Sequence, residues 1–170
     1  MITMEADATR VRVATRRDED ELMALCRRHH AESGVGDLNE DKVRSIMNRA
    51  FTPGRNDPGI IGVVGKSCIE GSICVVVEPM WYGDTPFLQE VWNFVAPEWR
   101  KATTNAKDLI AFAKRLAEPP PIGTGLKLWM GITSNHRTEA KMRLYRRQLG
   151  EPVGVTWLCG STADADMRAN

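Results

Sequence analysis

One stretch, residues 87–116, predicts a strand, a sharp turn and a helix in direct succession. Segment 87–95 is rich in aromatic and β-branched residues, which is typical of a strand. Pro97 ends that strand, because proline has no amide proton for a ladder of hydrogen bonds. A following apolar series with the spacing i, i+3, i+4, i+7 predicts a helix that buries one face, and its members are Leu109, Phe112, Ala113 and Leu116. The first amides of such a helix are unpaired, so the turn before it is a candidate anion site.

The turn between this strand and helix is polar and contains no glycine. Thr103, Thr104 and Asn105 are good N-cap residues, and Arg100 and Lys101 come just before them. A phosphate bound here would meet the positive end of the helix and two cationic side chains.

The pattern Val95-x-Pro97-x-x-Arg100, followed by a short turn and a helix, resembles the acyl-CoA signature of the GNAT N-acetyltransferase superfamily. In that family the turn amides bind the CoA pyrophosphate, and glycines allow the close approach. Lys101, Thr103 and Asn105 stand where the family has glycine, and each of their Cβ atoms takes room. The resemblance implies that acetyl-CoA is the co-substrate and that it contacts Phe94, Val95, Arg100, Lys101, Ala102, Thr103, Thr104, Asn105, Ala106 and Asn135. The alternative is that this strand and helix pack only as a structural scaffold, with Arg100 exposed to solvent.

Periodicity along the rest of the chain predicts the order β-α-α-β-β-β-α-β-α-β. The predicted strands cover 10–15, 60–65, 69–77, 87–95, 126–132 and 153–159, and the last helix starts with Asn135 as a cap and stops at Gly150. Three consecutive strands separated by turns indicate an antiparallel meander. The order is similar to that of the GNAT fold, which implies an α+β protein with a mixed, mostly antiparallel central sheet flanked by helices.

The chain is expected to form a single domain over 1–160 with a flexible tail at 161–170. The GNAT family usually closes with two strands, and only one is evident here. Either the last strand is missing, or a partner chain supplies it in a homodimer or larger assembly.

Two residues are predicted to carry the chemistry. Glu90 is the candidate base, because period-two alternation puts it on the same face of the strand as Phe94. By resemblance, the thioester carbonyl binds the backbone amide of Phe94 or Val95. Tyr145 is the candidate acid, since Leu144–Tyr145 resembles the family's Leu–Tyr pair, although the next glycine comes one residue late. The alternatives are a salt-bridged or edge Glu90 and a core or interface Tyr145.

Other ionisable residues point to no further site. The cysteines, Cys26, Cys68, Cys74 and Cys159, are scattered in apolar runs and form no C-x-x-C pair, so we expect reduced core residues, a cytoplasmic location and no metal site. His29 is expected on the buried face of the first helix, with His30 exposed.

Charge and hydropathy argue against two classes of partner. The net charge is +1, so no global field favours nucleic acid, and the basic last helix is interpreted as a solvated face. The apolar runs are too short to span a bilayer.

The resemblance implies an acetyl-CoA-dependent N-acetyltransferase that acts directly on a primary amine of a small molecule or protein. No Cys or Ser lies in an activating motif, so no acyl-enzyme is expected. By resemblance, acceptor contacts come from 31–38. The alternative is a catalytically degenerate GNAT-fold protein that is structural or binds a partner, such as a virion component. The altered turn resembles that of small GNAT-like proteins encoded by bacteriophages.

Overall fold

Five strands and four α-helices follow one another in the part of the chain that the structure describes. The computed structural model describes residues 10–33, 36–52, 54, 57–101, 103–132 and 137–154. The elements are β1 (Val11–Val13), α1 (Glu19–Ser33), α2 (Glu40–Phe51), β2 (Gly59–Val64), β3 (Gly71–Pro79), β4 (Pro86–Val95), α3 (Asn105–Ala117), β5 (Leu128–Trp129) and α4 (Thr138–Leu149). This confirms the predicted order as far as the last helix. Most of the predicted closing strand, 153–159, lies outside the described residues, as does the predicted tail, 161–170.

The sheet has the strand order β1-β2-β3-β4-β5. β1 to β4 pair antiparallel, and β5 runs parallel to β4, so the sheet is mixed and mostly antiparallel as predicted. β5 is much shorter than the predicted 126–132, because it pairs with β4 only through Leu88↔Leu128 and Gln89↔Trp129. Beyond Gln89 the two strands separate.

A β-bulge lies on β4 at Val91. Cys74 of β3 is opposite Trp92, whereas Val75 is opposite Glu90, so Val91 has no counterpart on β3. One extra residue in one strand of a pair bends that strand and reverses the alternation of its side chains.

The bulge overturns one expectation from the sequence. Glu90 shares a face with Asn93, and both contact Tyr145, whereas Phe94 faces α1 and stacks on His29. The prediction that Glu90 and Phe94 share a face is therefore wrong, because period-two counting assumes an unbroken ladder.

Helices cover both faces of the sheet. α3 packs on one face, and the four apolar residues predicted for its buried side, Leu109, Phe112, Ala113 and Leu116, are fully buried. α1 and α2 pack on the other face through Leu22, Met23 and Met47. Asn39 caps α2 as predicted, since its Oδ1 accepts from the Lys42 amide at 3.0 Å.

Three details differ from expectation or extend it. Cys26 and Cys74 are buried as predicted, but Cys68 is exposed in the β2–β3 connection, and Cys159 lies outside the described residues. α4 begins at Thr138 with Arg137 in the left-handed region at φ 55°, later than the cap predicted at Asn135. No helix in the described part of the chain has the length and apolar character needed to cross a bilayer.

Candidate active site

The separation of β4 from β5 opens a cleft along the edge of β4. The Ala96 amide donates to the Glu70 carbonyl at 2.9 Å. This bond determines which residues of β4 direct their main-chain groups towards β3. By antiparallel alternation the Phe94 amide then faces β3, whereas the main-chain groups of Asn93 and Val95 face the cleft. Of the two amides proposed from the sequence, the Val95 amide is the one at the open edge.

Two adjoining cavities lie in this cleft. The larger, of about 200 Å³, is lined by Asn93, Phe94, Val95, Arg100, Ala106, Arg137, Ala140, Lys141, Leu144 and Tyr145. The smaller, of about 110 Å³, is lined by His29, Glu90, Val91, Trp92, Asn93, Gly131, Ile132, Lys141 and Tyr145. Asn93, Lys141 and Tyr145 line both cavities and so lie at their junction.

Glu90 lines the smaller cavity and contacts Tyr145 at this junction. The phenol of Tyr145 donates to the Glu90 carboxylate, with Oη 3.1 Å from Oε1 and 3.2 Å from Oε2. Tyr145 Oη also accepts from Asn93 Nδ2 at 3.1 Å, and the Gly131 amide donates to the carboxylate. The structure thus brings together the two residues that the sequence singled out for chemistry.

Burial changes the proton affinity of both groups. It raises the pKa of Glu90 to about 7, against the smaller opposing effect of the hydrogen bonds from Tyr145 and Gly131. Burial and the neighbouring carboxylate raise the pKa of Tyr145 well above its usual value. Near neutral pH the carboxylate is therefore suited to accept a proton, and the phenol keeps its own.

Two further ionisable residues lie beside this pair. His29 of α1 lines the smaller cavity and stacks on Phe94 with ring centroids 4.9 Å apart, and burial lowers its pKa. Lys141 of α4 lines both cavities, and burial also lowers its pKa. The sequence predicts His29 on the buried face of α1 and Lys141 on the solvated basic face of α4, and neither prediction includes a role in the site. The sequence does contain one indication for Lys141: it precedes Tyr145 by four residues on one helix, and this spacing puts both side chains on the same face.

Arg100 is bound to protein groups. Its Nη2 donates to Glu32 Oε2 at 2.6 Å, and its Nε donates to the Val95 carbonyl at 2.8 Å. Its guanidinium lies over the Phe94 ring, 5.0 Å from the centroid. The side chains of Arg100 and Glu32 are each 16% exposed, so the solvated alternative for Arg100 is wrong. Arg100 joins the end of α1 to the turn after β4 and also lines the larger cavity.

Side chains of the turn bond within the protein. Asn105 is fully buried, and its Nδ2 donates to Glu70 Oε2 at 2.7 Å. Thr103 Oγ1 donates to the Trp99 carbonyl, and Thr104 Oγ1 donates to Asp108 Oδ2 at 2.7 Å. Asn105 therefore points into the interior and does not cap α3, and Thr104 occupies the N-cap position without a capping bond.

Several main-chain amides of the same turn have no hydrogen-bond acceptor among the described residues and could donate to a ligand. The Asp108 amide donates to the Thr104 carbonyl, and the amides of Thr104, Ala106 and Lys107 have no acceptor among the residues described. Lys101 is exposed, and Ala102 and Asn135 lie outside the described residues. The described ranges contain no group of three or more His, Cys, Asp or Glu residues that could hold a metal ion.

Comparison with known proteins identifies the fold. No family model matches the chain, and no curated protein matches its sequence. An integron cassette protein from the mobile metagenome of Cole Harbour Salt Marsh superposes with a TM-score of 0.62 at 20% identity, over 90% of each chain. An aminoglycoside acetyltransferase from an uncultured soil metagenomic sample gives 0.59 at 13% identity, over 88% of this chain and 91% of that one. A ribosomal-protein-alanine N-acetyltransferase from Brucella melitensis biovar Abortus 2308 gives 0.60 at 12% identity, over 88% and 96%. The chain has the fold of the GNAT acetyltransferases, as its sequence predicted.

Proposed function

We propose that this protein is an acetyl-CoA-dependent N-acetyltransferase that transfers the acetyl group directly to a primary amine. The observation that carries the proposal is the Glu90 carboxylate, whose pKa is about 7, bonded to Tyr145 where two cavities meet beside the open edge of β4. A base with a pKa near the working pH is what removal of a proton from an ammonium group needs.

The larger cavity has the features that acetyl-CoA would need. The cleft-facing Val95 amide is suited to a thioester carbonyl, and the part of β4 that pairs with no described strand beyond Gln89 is suited to the amide groups of a pantetheine arm. The amides of Thr104, Ala106 and Lys107 at the start of α3 are suited to a diphosphate, and Arg137 adds positive charge to the cavity lining. Acetyl-CoA supplies the activated acetyl thioester.

The residues of the chain then divide the proton chemistry between them. Glu90 accepts the proton that the acceptor ammonium loses in the smaller cavity and passes it to solvent, and it then accepts the second proton, which the nitrogen loses after its attack on the thioester. Tyr145, which lines both cavities, donates its phenol proton to the departing thiolate, and Glu90 passes the second nitrogen proton to Tyr145 through their hydrogen bond. Asn93 donates to the phenol oxygen and so holds the ring in position.

The acceptor of this reaction is a small molecule or a protein amine. Both kinds are acetylated by proteins of this fold, since the aminoglycoside and ribosomal-protein-alanine acetyltransferases superpose on the chain. An enzyme of this type would work in the cytoplasm.

Calorimetry with acetyl-CoA and an acceptor screen test the proposal together. We expect micromolar binding of acetyl-CoA, and about 100-fold slower transfer in Glu90→Gln with unchanged acetyl-CoA affinity. Glu118→Gln, the same chemical change at an exposed position after α3, is the matched control and should match the wild type. Unchanged transfer in Glu90→Gln would remove Glu90 as the base.

The second candidate is a degenerate GNAT-fold protein that binds a partner, for example in a virion, with or without a second copy of itself. Trp81 and Tyr82 at the β3–β4 turn favour it, because they are 94% and 69% exposed. The glycine-free turn after β4 favours it too. Absence of binding at millimolar acetyl-CoA would support this candidate against the enzyme.

A further inference from the structure

We infer that the acceptor is a small amino acid-like molecule, an amine that also carries a carboxylate, and that Lys141 is the residue that recognises the carboxylate. The inference rests on the proposed function and names its substrate class. It follows from the charges around the smaller cavity.

The described lining of the smaller cavity contains one carboxylate. That carboxylate is Glu90, which the reaction needs as its base. The other ionisable side chains of the lining with basic character are His29 and Lys141. A second ammonium group on the acceptor would therefore meet Lys141 without a second anion to balance it, because like charges repel and a buried charge needs a partner.

The next acidic side chain, Glu32, already forms an ion pair with Arg100 through one of its two carboxylate oxygens. Glu32 lies close enough to influence the pKa of both His29 and Lys141. Its Oε2, however, accepts from Arg100 Nη2 at 2.6 Å, in a pair whose side chains are each 16% exposed. Removing Glu32 from that pair to serve a substrate ammonium would leave the Arg100 charge uncompensated.

Lys141 is placed to bind an anion next to the reacting amine. It precedes Tyr145 by four residues on α4, so the two side chains lie on the same face of the helix. Both side chains line the smaller cavity together with Glu90. An amine directed at Glu90 therefore presents its neighbouring substituents to Lys141, and a carboxylate on one of them can accept a hydrogen bond from the Lys141 ammonium.

The size of the cavity limits the acceptor further. A volume of about 110 Å³ is well below the several hundred Å³ of typical pockets for drug-sized ligands. A small aminocarboxylate fills such a space, whereas a long polyamine would extend out of it with most of its charges unpaired.

A matched set of acceptors tests the inference. Alanine, serine and glutamate are each compared with the corresponding primary amide, and spermidine is added as a polyamine, with rates corrected for the fraction of unprotonated amine. We expect kcat/KM for at least one free acid to exceed that for its amide by about tenfold or more, and spermidine to be poorer than that acid.

Variants at position 141 identify the recognising group. Lys141→Met should bring the acid and its amide to within about twofold of each other, and Lys141→Arg should retain the preference. Lys42→Met, the same change at an exposed position on α2, should leave the preference as in the wild type. Acetyl-CoA affinity, measured on each variant by calorimetry, shows that the variant is folded and binds its co-substrate.

The outcomes separate the inference from the function on which it rests. Failure to bind acetyl-CoA would overturn the proposed function. Normal acetyl-CoA binding with faster transfer to amides or to spermidine than to any acid would overturn the inference alone. A preference for acids that survives in Lys141→Met would overturn the role of Lys141.

Discussion

The phenol oxygen of Tyr145 lies 3.1 and 3.2 Å from the two carboxylate oxygens of Glu90, although 55 positions separate the residues in the sequence. This hydrogen bond joins α4 to the bulged part of β4. It places a carboxylate with a pKa of about 7, in the smaller cavity, next to a protonated phenol that lines both cavities.

Glu90 should make the stability of the fold depend on pH. Its pKa rises from an ordinary value of 4.5 to about 7 on folding, so the folded state favours the protonated form. This contribution to stability is complete below pH 4.5 and is lost as the pH rises to about 7. The free energy of unfolding of the wild type relative to Glu90→Gln should therefore fall between pH 5 and pH 8, by up to about 3 kcal/mol. Urea unfolding at pH 5 and pH 8 measures this difference in the free energy of unfolding, with Glu118→Gln as the control variant. A wild type and a Glu90→Gln variant whose free energies of unfolding change equally with pH would contradict the prediction.

Removing the Tyr145 hydroxyl should alter the pH profile of transfer as well as its rate. The phenol lowers the pKa of Glu90 by donating to its carboxylate, so Tyr145→Phe should shift the midpoint of kcat/KM above about pH 7. Loss of the proton donor should also slow transfer by about 100-fold. Tyr82→Phe, at an exposed tyrosine on the β3–β4 turn, is the control. A slower enzyme with an unshifted profile would mean that the phenol acts without influencing Glu90.

Substitutions of Arg100 and Glu32 should have strongly non-additive effects on the free energy of unfolding. Arg100→Met keeps apolar volume over Phe94 but leaves the Glu32 carboxylate without its 2.6 Å partner, which should cost about 3 kcal/mol. Glu32→Gln combined with Arg100→Met should lose less stability than the sum of the single changes. Urea unfolding of the four proteins gives the coupling energy, and additive losses would show that the two charges act independently.

A side chain at position 62 should destabilise the fold. A Cβ at this position would lie 2.7 Å from Cε1 and 2.8 Å from Cδ1 of Phe112, in the core between β2 and α3. Gly62→Ala should therefore lower the free energy of unfolding by about 1–3 kcal/mol. Gly83→Ala is the matched control, because a Cβ at Gly83 meets no atom within 4 Å. Equal stability of the two variants would contradict the close packing of Phe112 on β2.

Features determined by neighbours in the sequence could be predicted. The helical spacing of Leu109 and Phe112 predicts the buried side of α3, and the residue type of Asn39 predicts the N-cap of α2, as the structure shows. These features depend on local geometry, which a short window of sequence contains. The strand–turn–helix motif and the order of elements then identified the fold.

Features determined by pairing between strands or helices could not be predicted. The extra residue at Val91 is defined only by its opposition to β3, so the reversed alternation after Glu90 was missed. Asn105 has a suitable residue type for a cap, but the buried Glu70 binds its side chain instead. His29 joins the site because α1 packs beside β4, and nothing in its own segment indicates this.

The two residue pairs that attach β5 to β4 also have a consequence for the energetics of the whole molecule. Beyond Gln89 no strand of the described residues lies opposite the main-chain groups of Asn93 and Val95, so an extended ligand bonded to that edge would add a strand to the sheet. Adding that strand and occupying the cleft would then be a single equilibrium governed by mass action. The melting temperature of such a protein reports how much of that ligand surrounds it.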